Sequence, residues 1–291
     1  MFDGFIRKRL RANGVEINTL VGGDGPPLLL LHGYPQSHLI WHRVAAGLTK
    51  YYTVVATDLR GYGDSEKPEG ADDHSNYSKR EMARDQVDVM QQLGFYSFYL
   101  CGHDRGARVS HRLAIDYPAA VKRLMLLDIS PTLAMYEQTT MDFARSYWWW
   151  FFLIQPKPFP EDMIAAAPET YLKKKIGWGH AGISAFTAET YAAYLSYVSD
   201  PATMHAMCED YRAAASIDLE HDRADREAGK KIKCPVHVIW GEHGVVNRCF
   251  SPIIDWQLVA EDVRGRTLPC GHYIPEEMPE ELLVEMREFF R

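Results

Sequence analysis

The chain has 291 residues, a formal net charge of −7, and 46% hydrophobic and 24% charged residues. This length suits one large α/β domain, or a core with an inserted subdomain, because domains commonly contain roughly 100–200 residues. The acidic balance argues against a nucleic-acid-binding surface, which needs a basic patch, and the composition is that of a soluble globular protein.

The first predicted element is an antiparallel hairpin, because Asn13-Gly14 is a favoured two-residue turn between extended segments. Continuous apolar runs follow, and such runs are typical of parallel strands buried on both faces. Two helical patterns lie between them, at 79–94 and 106–118, and this alternation predicts right-handed crossovers and a mostly parallel sheet. The predicted strands are at 27–33, at the start of 52–63, and at 98–104, 123–130, 236–242 and 265–272.

The pattern changes between residues 131 and 230. Tryptophan and tyrosine become frequent, prolines cluster at 156–160, and strand-like runs disappear. We therefore predict a helical cap at 131–230 that is inserted into an α/β core formed by 1–130 and 231–291.

The sequence GHDRGA at 102–107 has the form of the sharp turn that presents a nucleophile in hydrolases, with Asp104 where serine is usual. A carboxylate nucleophile attacks carbon and becomes an ester, which water can hydrolyse. A serine attacking an sp³ carbon would instead form an ether, which is a dead end. Asp104 therefore indicates displacement at a saturated carbon.

Two further residues follow predicted strands, and open parallel sheets bind ligands at these strand ends. Asp128 and His272 come after Asp104 in the order nucleophile, acid, histidine. We expect His272 to activate water and Asp128 to hold the imidazole tautomer. Glu242, at the end of the fifth predicted strand, is the alternative acid.

The turn HGYP at 32–35 also follows a predicted strand. We expect the backbone N–H groups of Tyr34 and Arg105 to form an oxyanion hole for ester hydrolysis. The alternative is that this segment is simply a turn with an aromatic side chain.

Arg105 and Arg108 lie at the start of the predicted helix, where the helix dipole favours anions rather than cations. Their position is therefore favourable only near negative charge, and arginine binds carboxylates through paired hydrogen bonds. We predict a short carboxylic acid substrate with its leaving group on the adjacent carbon. In the alternative, Arg105 pairs with a structural acid and Arg108 faces solvent.

These motifs resemble those of the fluoroacetate (haloacetate) dehalogenases of the α/β-hydrolase superfamily, and the resemblance runs nearly end to end. GHDRGAR is specific, because epoxide hydrolases usually have tryptophan after the nucleophile. The resemblance implies an α/β-hydrolase fold with a mostly parallel central sheet, flanking helices and a helical cap. The matching segments are LLLLHGYPQ (28–36), DLRGYGDS (58–65), GHDRGARVSHR (102–112), LDISPT (127–132), CEDYRAAASIDLEHD (208–222) and LPCGHYIPEE (268–277).

The resemblance also implies a role for each matching position. Asp104 is the nucleophile, Arg105 and Arg108 hold the substrate carboxylate, and Asp128 and His272 carry out ester hydrolysis. The residues expected to bind the departing halide are Trp149, Trp150 and Tyr211, and those expected to line the pocket are His103, Tyr147 and Trp178.

The sequence departs from the family where YWWW at 147–150 replaces the usual YHW or WHW. Trp149 stands where the family has histidine, and an indole N–H is a donor that is bulkier than imidazole and never cationic. We therefore expect chloroacetate and bromoacetate to be good substrates and leave fluoroacetate open. The alternative is that the tryptophans form an aromatic core of the cap.

Two rival functions use the same residues. An epoxide hydrolase would use the same Asp-His-Asp machinery with acidic donors such as Tyr147 and Tyr211, but an epoxide has no carboxylate for Arg105 to bind. A catalytically silent ligand-binding protein of this fold is the second rival, and the intact set of Asp104, Asp128 and His272 argues against it.

We expect no cofactor and no metal, because the sequence has no metal-ligand spacing, no dinucleotide-binding glycine pattern and no P-loop. The five scattered cysteines favour a reduced protein. The N-terminus has no apolar signal segment, so we predict a cytoplasmic location, and the family resemblance implies a homodimer.

Overall fold

The computed structural model describes residues 1–177 and 179–291. These residues form one sheet of eight strands, in the spatial order first, second, fourth, third, fifth, sixth, seventh, eighth. The strands are β1 (Ile6–Ala12), β2 (Val15–Gly22), β3 (Pro27–Leu31), β4 (Thr53–Thr57), β5 (Phe98–His103), β6 (Val121–Leu127), β7 (Val236–Gly241) and β8 (Val263–Leu268). The β1–β2 and β2–β4 pairs are antiparallel and the other pairs are parallel. The prediction of a mostly parallel sheet is confirmed.

The hairpin of β1 and β2 closes at the predicted two residues. Ala12 pairs with Val15, and the turn residues Asn13 and Gly14 have φ of 47° and 83°. Positive φ at both positions is the geometry that an Asn-Gly turn favours, because its twist matches that of the flanking strands.

The central strands are buried on both faces, as their continuous apolar runs predict. Leu29 and Leu31 of β3 belong to one apolar cluster, whereas Leu28 and Leu30 belong to a second cluster on the other face of the sheet. All four side chains are fully buried. Alternate side chains of a strand point to opposite faces, so apolar residues must occupy every position when helices cover both faces.

Helices flank the sheet and fill the segment between β6 and β7. The helices before β6 are α1 (Ala45–Leu48), α2 (Lys79–Gln92) and α3 (Arg105–Asp116). Those between β6 and β7 are α4 (Thr132–Glu137), α5 (Met141–Ser146), α6 (Trp148–Phe152), α7 (Phe159–Ala165), α8 (Pro168–Ile176), α9 (Ala188–Ser199), α10 (Pro201–Ala214) and α11 (Ile217–Glu227). The remaining helices are α12 (Val245–Cys249), α13 (Pro252–Gln257), α14 (Ile274–Glu277) and α15 (Pro279–Phe289). Short 3₁₀ helices occur at His38–Trp41, Ser75–Tyr77 and Gly182–Ala185.

The described part of the segment from α4 to α11 contains helices joined by turns and no strand, as expected for the predicted cap. Phe143, Trp150 and Tyr211 from this segment share an apolar cluster with Leu29 and Leu31 of the sheet. The division into a core and a cap at residues 131 and 230 stays a prediction.

In the described chain, no helix combines the length and apolar character needed to span a bilayer. All five cysteines are free thiols. The cytoplasmic location and the homodimer stay predictions.

The sheet brings the candidate site residues to one edge. His103 ends β5, so Asp104 directly follows it, and Asp128 directly follows β6. His272 follows β8 by four residues. β6 ends at Leu127, three residues before the predicted end, because Asp128 adopts a φ of 52° that an extended strand cannot continue.

Candidate active site

A tight turn between β5 and α3 presents Asp104. Its φ of 47° is unfavourable for a residue with a side chain, and such strain is typical of functional turns. Gly106 allows α3 to pack against the end of β3, because a Cβ at that position would lie 2.4 Å from the His32 carbonyl oxygen. A Cβ on Gly102 would lie 2.5 Å from Ser110 Oγ. The two glycines of the motif are therefore required by the close packing around Asp104.

One backbone N–H approaches the Asp104 carboxylate from the turn after β3. Tyr34 donates its N–H to Asp104 Oδ2 at 3.0 Å. This N–H has the position expected of an oxyanion-hole donor, since the same oxygen would carry the charge during ester hydrolysis. The Arg105 N–H lies at the start of α3, and its contribution stays a prediction.

His272 contacts Asp128 directly. His272 Nδ1 is 2.5 Å from Asp128 Oδ2, and Asp128 Oδ1 accepts the Gly241 N–H at 2.9 Å. Glu242, the alternative acid, is exposed. The geometry therefore gives Asp128, and not Glu242, the contact that fixes an imidazole tautomer.

The second ring nitrogen of His272, Nε2, lies on the side of the ring nearest the Asp104 carboxylate. His272 Nε2 lies 3.9 Å from Asp104 Oδ2, which is too long for a hydrogen bond. Burial alone would lower the pKa of His272, but the Asp104 and Asp128 carboxylates outweigh it and raise this pKa to about 9. Burial would raise the pKa of Asp104, but His272 and Arg108 hold it well below its usual range. The ionised form of Asp104 is therefore favoured, which a carboxylate nucleophile would require.

Arg105 is fully buried and pairs with an acid from α10. Its Nε and Nη2 donate to the two carboxylate oxygens of Asp210 at 2.8 and 2.7 Å. Nη1 is buried and has no hydrogen-bond partner among the described residues. Arg105 therefore pairs with a structural acid, which is one part of the alternative interpretation, and Nη1 is its one nitrogen without a partner in the described structure.

Arg108 is 2% exposed and does not face solvent. It donates to Thr132 Oγ1 at 2.9 Å and to the Ser130 carbonyl at 3.3 Å, while its Nε has no partner in the described structure. Burial lowers the pKa of Arg108 and the neighbouring Arg105 cation lowers it further, although Asp104 opposes both. Arg108 therefore carries a buried charge that a bound carboxylate would stabilise.

The three predicted halide-binding residues separate into two groups. The Trp150 and Tyr211 rings lie against the arginines, 4.6 Å from Arg108 Cζ and 4.1 Å from Arg105 Cζ. Tyr211 Oη is buried and lacks a hydrogen-bond partner among residues 1–177 and 179–291. Trp149 instead packs against Tyr147, with ring centres 4.6 Å apart, and its face lies 4.1 Å from Lys175 Nζ.

A cavity of about 220 Å³ adjoins His272. Its lining residues are Tyr147, Trp149, Lys175, Gly179, His180, His243, Gly244, Val245, Arg248, Gly271, His272 and Tyr273. Asp104, Arg105 and Arg108 are not among them, so this cavity lies beside the nucleophile and does not enclose it.

The three predicted pocket-lining residues differ in position. Tyr147 lines the cavity, whereas His103 does not. His103 packs behind His272, with ring centres 4.7 Å apart and its Nε2 2.8 Å from the His272 carbonyl oxygen. Burial and the neighbouring His272 lower the pKa of His103 to about 3. Trp178 lies outside the described residues.

Sequence reasoning missed two charged residues, Asp210 and Lys175. Asp210 neutralises Arg105, and Lys175 lines the cavity beside His272. In the part of the chain that the structure describes, no group of three or more His, Cys, Asp or Glu side chains is arranged to hold a metal ion.

The chain is similar to known proteins over nearly its whole length. A family model described as the alpha/beta hydrolase fold matches residues 26–277. A fluoroacetate dehalogenase from Burkholderia sp is 45% identical, with 99% of this chain and 95% of the relative covered. A soluble epoxide hydrolase from Corynebacterium sp. (strain C12) is 32% identical, with 96% of this chain and 94% of the relative covered. The crystal structure of an α/β hydrolase from Nostoc sp PCC 7120 is 52% identical, with a TM-score of 0.97 and coverage of 100% of this chain and 99% of that one.

Proposed function

Because this chain belongs to the fluoroacetate dehalogenase family of the α/β-hydrolase superfamily, we propose that it hydrolyses 2-haloacetates to glycolate and halide. One observation carries the proposal. A carboxylate nucleophile, Asp104, lies near the buried Arg108, which has no carboxylate within ion-pair distance among the described residues. A haloacetate supplies both a saturated carbon for Asp104 and a carboxylate for Arg108.

In the first step, a carboxylate oxygen of Asp104 attacks the carbon that bears the halogen. The new C–O bond forms as the carbon–halogen bond breaks, and the halide leaves with the bonding electron pair. Tyr34 N–H holds Oδ2, which leaves Oδ1 as the attacking oxygen. Arg108 and the Nη1 of Arg105 hold the substrate carboxylate, and Trp150 and Tyr211 face the departing halide.

In the second step, water hydrolyses the ester of Asp104. His272 Nε2 and Asp104 Oδ2 are 3.9 Å apart. A water beside them could lie about 2.8 Å from both Nε2 and the ester, which is hydrogen-bond distance. His272 takes its proton, and the resulting oxyanion is stabilised by Tyr34 N–H, a donor worth about 3–4 kcal/mol in such sites.

The charge of Asp104 changes the pKa of His272, and this pKa decides at which step His272 can act as a base. In the free enzyme both carboxylates raise the pKa of His272 to about 9, so the ring is mostly protonated at neutral pH. Ester formation removes the negative charge of Asp104, so the pKa of His272 falls and its neutral fraction rises. The imidazole therefore becomes a base at the step that needs one.

The substrate class is tested by measuring halide release from fluoroacetate, chloroacetate and bromoacetate, with styrene oxide as an uncharged comparison. We expect chloride and bromide release with glycolate as the organic product, and no opening of the epoxide. Epoxide opening without halide release would contradict the proposal. The absence of turnover with every compound would favour a ligand-binding role.

Replacing Arg108 with glutamine should raise KM for chloroacetate by about 10–100-fold, since a hydrogen bond to a charged group contributes roughly 1.5–3 kcal/mol. The reason is that no carboxylate of the described chain lies within ion-pair distance of Arg108, so the substrate would supply the paired carboxylate. Initial rates over a range of chloroacetate concentrations measure this change. The exposed Arg84→Gln variant serves as a control and should keep the wild-type KM. An unchanged KM in Arg108→Gln would show that Arg108 only supports the turn after β6.

Replacing Trp149 with histidine should raise the rate of fluoride release relative to chloride release by about tenfold, the effect of one hydrogen bond to a charged group. Fluoride is small and strongly hydrated, so it needs a short hydrogen bond as it leaves toward the cavity that residue 149 lines, and imidazole provides a smaller donor than indole. A fluoride electrode and a chloride assay on the same preparations give the ratio. Trp148→Phe, one residue earlier on α6, is the matched control, and an equal ratio in Trp149→His and wild type would contradict the expectation.

Epoxide hydrolysis is the second candidate, because a relative of that description is 32% identical. Tyr211 Oη, buried and without a partner in the described chain, would suit protonation of an epoxide oxygen. Tyr147 suits it less well, since its hydroxyl lies 3.4 Å from His272 Nδ1, on the side of the ring that faces Asp128. The buried charge of Arg108 favours an anionic substrate over an epoxide.

A further inference from the structure

The cavity beside His272 is rich in basic side chains. Its basic residues are Lys175, His180, His243, Arg248 and His272, and none of the described lining residues is acidic. Arg248 is neutralised by Asp142, with Nε and Oδ2 2.8 Å apart. Lys175 has no such carboxylate within ion-pair distance in the described chain, so its ammonium is a cation of the cavity wall without a neutralising ion pair there.

Lys175 lies among aromatic groups. It is 2% exposed, and its Nζ donates to Tyr273 Oη at 2.9 Å. The ring centres of Trp149, Tyr273 and Tyr34 lie 4.1, 5.3 and 5.5 Å from Nζ. An ammonium has three N–H donors, and ring faces stabilise a cation only in part. Burial lowers the pKa of Lys175 to about 7, although Asp104 opposes this effect.

We propose that Lys175 and the cavity beside His272 form a second anion site, which binds the halide after it leaves the carbon attacked by Asp104. The source of the halide rests on the proposed function, whereas the binding of a halide ion does not.

The chemistry of the site favours a halide over a carboxylate. Lys175 is a point charge, and a carboxylate is better matched by the paired donors of arginine. Nζ donates one N–H to Tyr273 Oη, and its other N–H donors can converge on a single spherical ion, which needs no fork of paired donors. Arg105 and Arg108 lie outside this cavity, so the occupant is distinct from the substrate that they hold.

Bromide binding to the intact protein, measured by isothermal titration calorimetry with sodium bromide, tests the site without any turnover. Lys175→Met should weaken bromide binding by roughly tenfold or more, since it removes a charged hydrogen-bond donor. Lys175→Arg should keep most of the affinity because it keeps the charge. Lys173→Met is the matched control, since Lys173 is an exposed lysine on the same helix that pairs with Glu169. Equal bromide affinity in Lys175→Met and wild type would overturn the proposal.

Anomalous diffraction from bromide-soaked crystals of the wild-type protein gives a result that does not depend on the folding of a variant. The expected result is a bromide ion in contact with Lys175 Nζ. Bromide found at Trp150 and Tyr211 but absent from Lys175 would overturn the proposal. Displacement of bromide from Lys175 by sodium acetate would overturn the assignment to halide. Bromide at Lys175 in a protein that turns over no haloacetate would uphold the site and reject only the proposed function.

Discussion

Asp104→Asn should reduce steady-state halide release from chloroacetate by roughly 10⁴-fold or more, the effect of removing an essential nucleophile. The amide is a much weaker nucleophile than the carboxylate, whose pKa is held far below its usual range by His272 and Arg108. Because asparagine has the size of aspartate and its side-chain oxygen can still accept the Tyr34 N–H, the substitution should leave the fold intact. Chloride release by the purified variant, with circular dichroism to verify folding, measures the effect.

Asp116→Asn is the control for this variant. Asp116 lies at the other end of α3, where it accepts hydrogen bonds from Arg80 and Arg112. It should keep nearly wild-type turnover. Sustained chloride release by Asp104→Asn at a rate close to wild type would mean that another group, or water itself, attacks the substrate.

His272→Asn should separate the two halves of the reaction. Asp104 can still attack chloroacetate, so each active site should release one chloride and then stop. Steady-state turnover should fall by about 10²–10⁴-fold, the usual contribution of a general base. Rapid-quench measurement of chloride gives the burst, and mass spectrometry of the peptide containing Asp104 should detect the trapped ester.

His205→Asn is the matched control for this experiment. His205 lies on α10, where its Nδ1 is 3.1 Å from Glu161, and it takes no part in the proposed chemistry. It should show continuous turnover. If His272→Asn released no chloride even in the first turnover, His272 would be needed for the displacement step, which contradicts its assignment as the base for ester hydrolysis alone.

The sheet could be predicted from the sequence because its signals are local. The continuous apolar run at Leu28–Leu31 is typical of a strand buried on both faces, and Asn13-Gly14 favours the two-residue hairpin turn that is observed. The candidate site follows from the same signals. Asp104, Asp128 and His272 each come after a strand of one parallel sheet, so their strand ends meet at one edge.

Asp210 could not be found in this way because it reaches Arg105 from a different part of the chain. The two residues are 105 positions apart, and their contact depends on how α10 packs over the end of the sheet. A buried arginine implied an acid, but nothing local to Arg105 identified which one. The CEDYRA segment contained the acid, beside the tyrosine to which the resemblance drew attention.

Lys175 was missed because it ends a run of three lysines, a pattern typical of a solvated face. Helical geometry places the three lysines on different faces of α8. Lys175 shares its face with Tyr171 and Leu172, and all three of these residues are buried. Lys173 and Lys174 are exposed. The helical period places Lys175 on the same face as apolar residues. A charged residue on an apolar face is unusual, and this conflict could have identified Lys175 as a candidate site residue.

The neighbours of the three consecutive tryptophans could not be predicted from the sequence. Successive residues of a helix point in directions about 100° apart, so the rings of Trp149 and Trp150 have different neighbours. Trp150 lies against Arg108, whereas Trp149 lies against Lys175. The residue that replaces the family's histidine therefore borders the cavity, and its neighbour on α6 borders the arginines.

The origin of the hydroxyl oxygen of glycolate tests the central claim most directly. A single turnover is run in ¹⁸O-labelled water with enzyme in excess over chloroacetate, and both glycolate and the peptide containing Asp104 are analysed by mass spectrometry. If Asp104 forms the ester, the first glycolate carries an unlabelled hydroxyl oxygen from Asp104, and the label appears in the Asp104 carboxylate. Labelled glycolate in the first turnover, with no label in Asp104, would mean that water attacks the carbon directly and would contradict the mechanism.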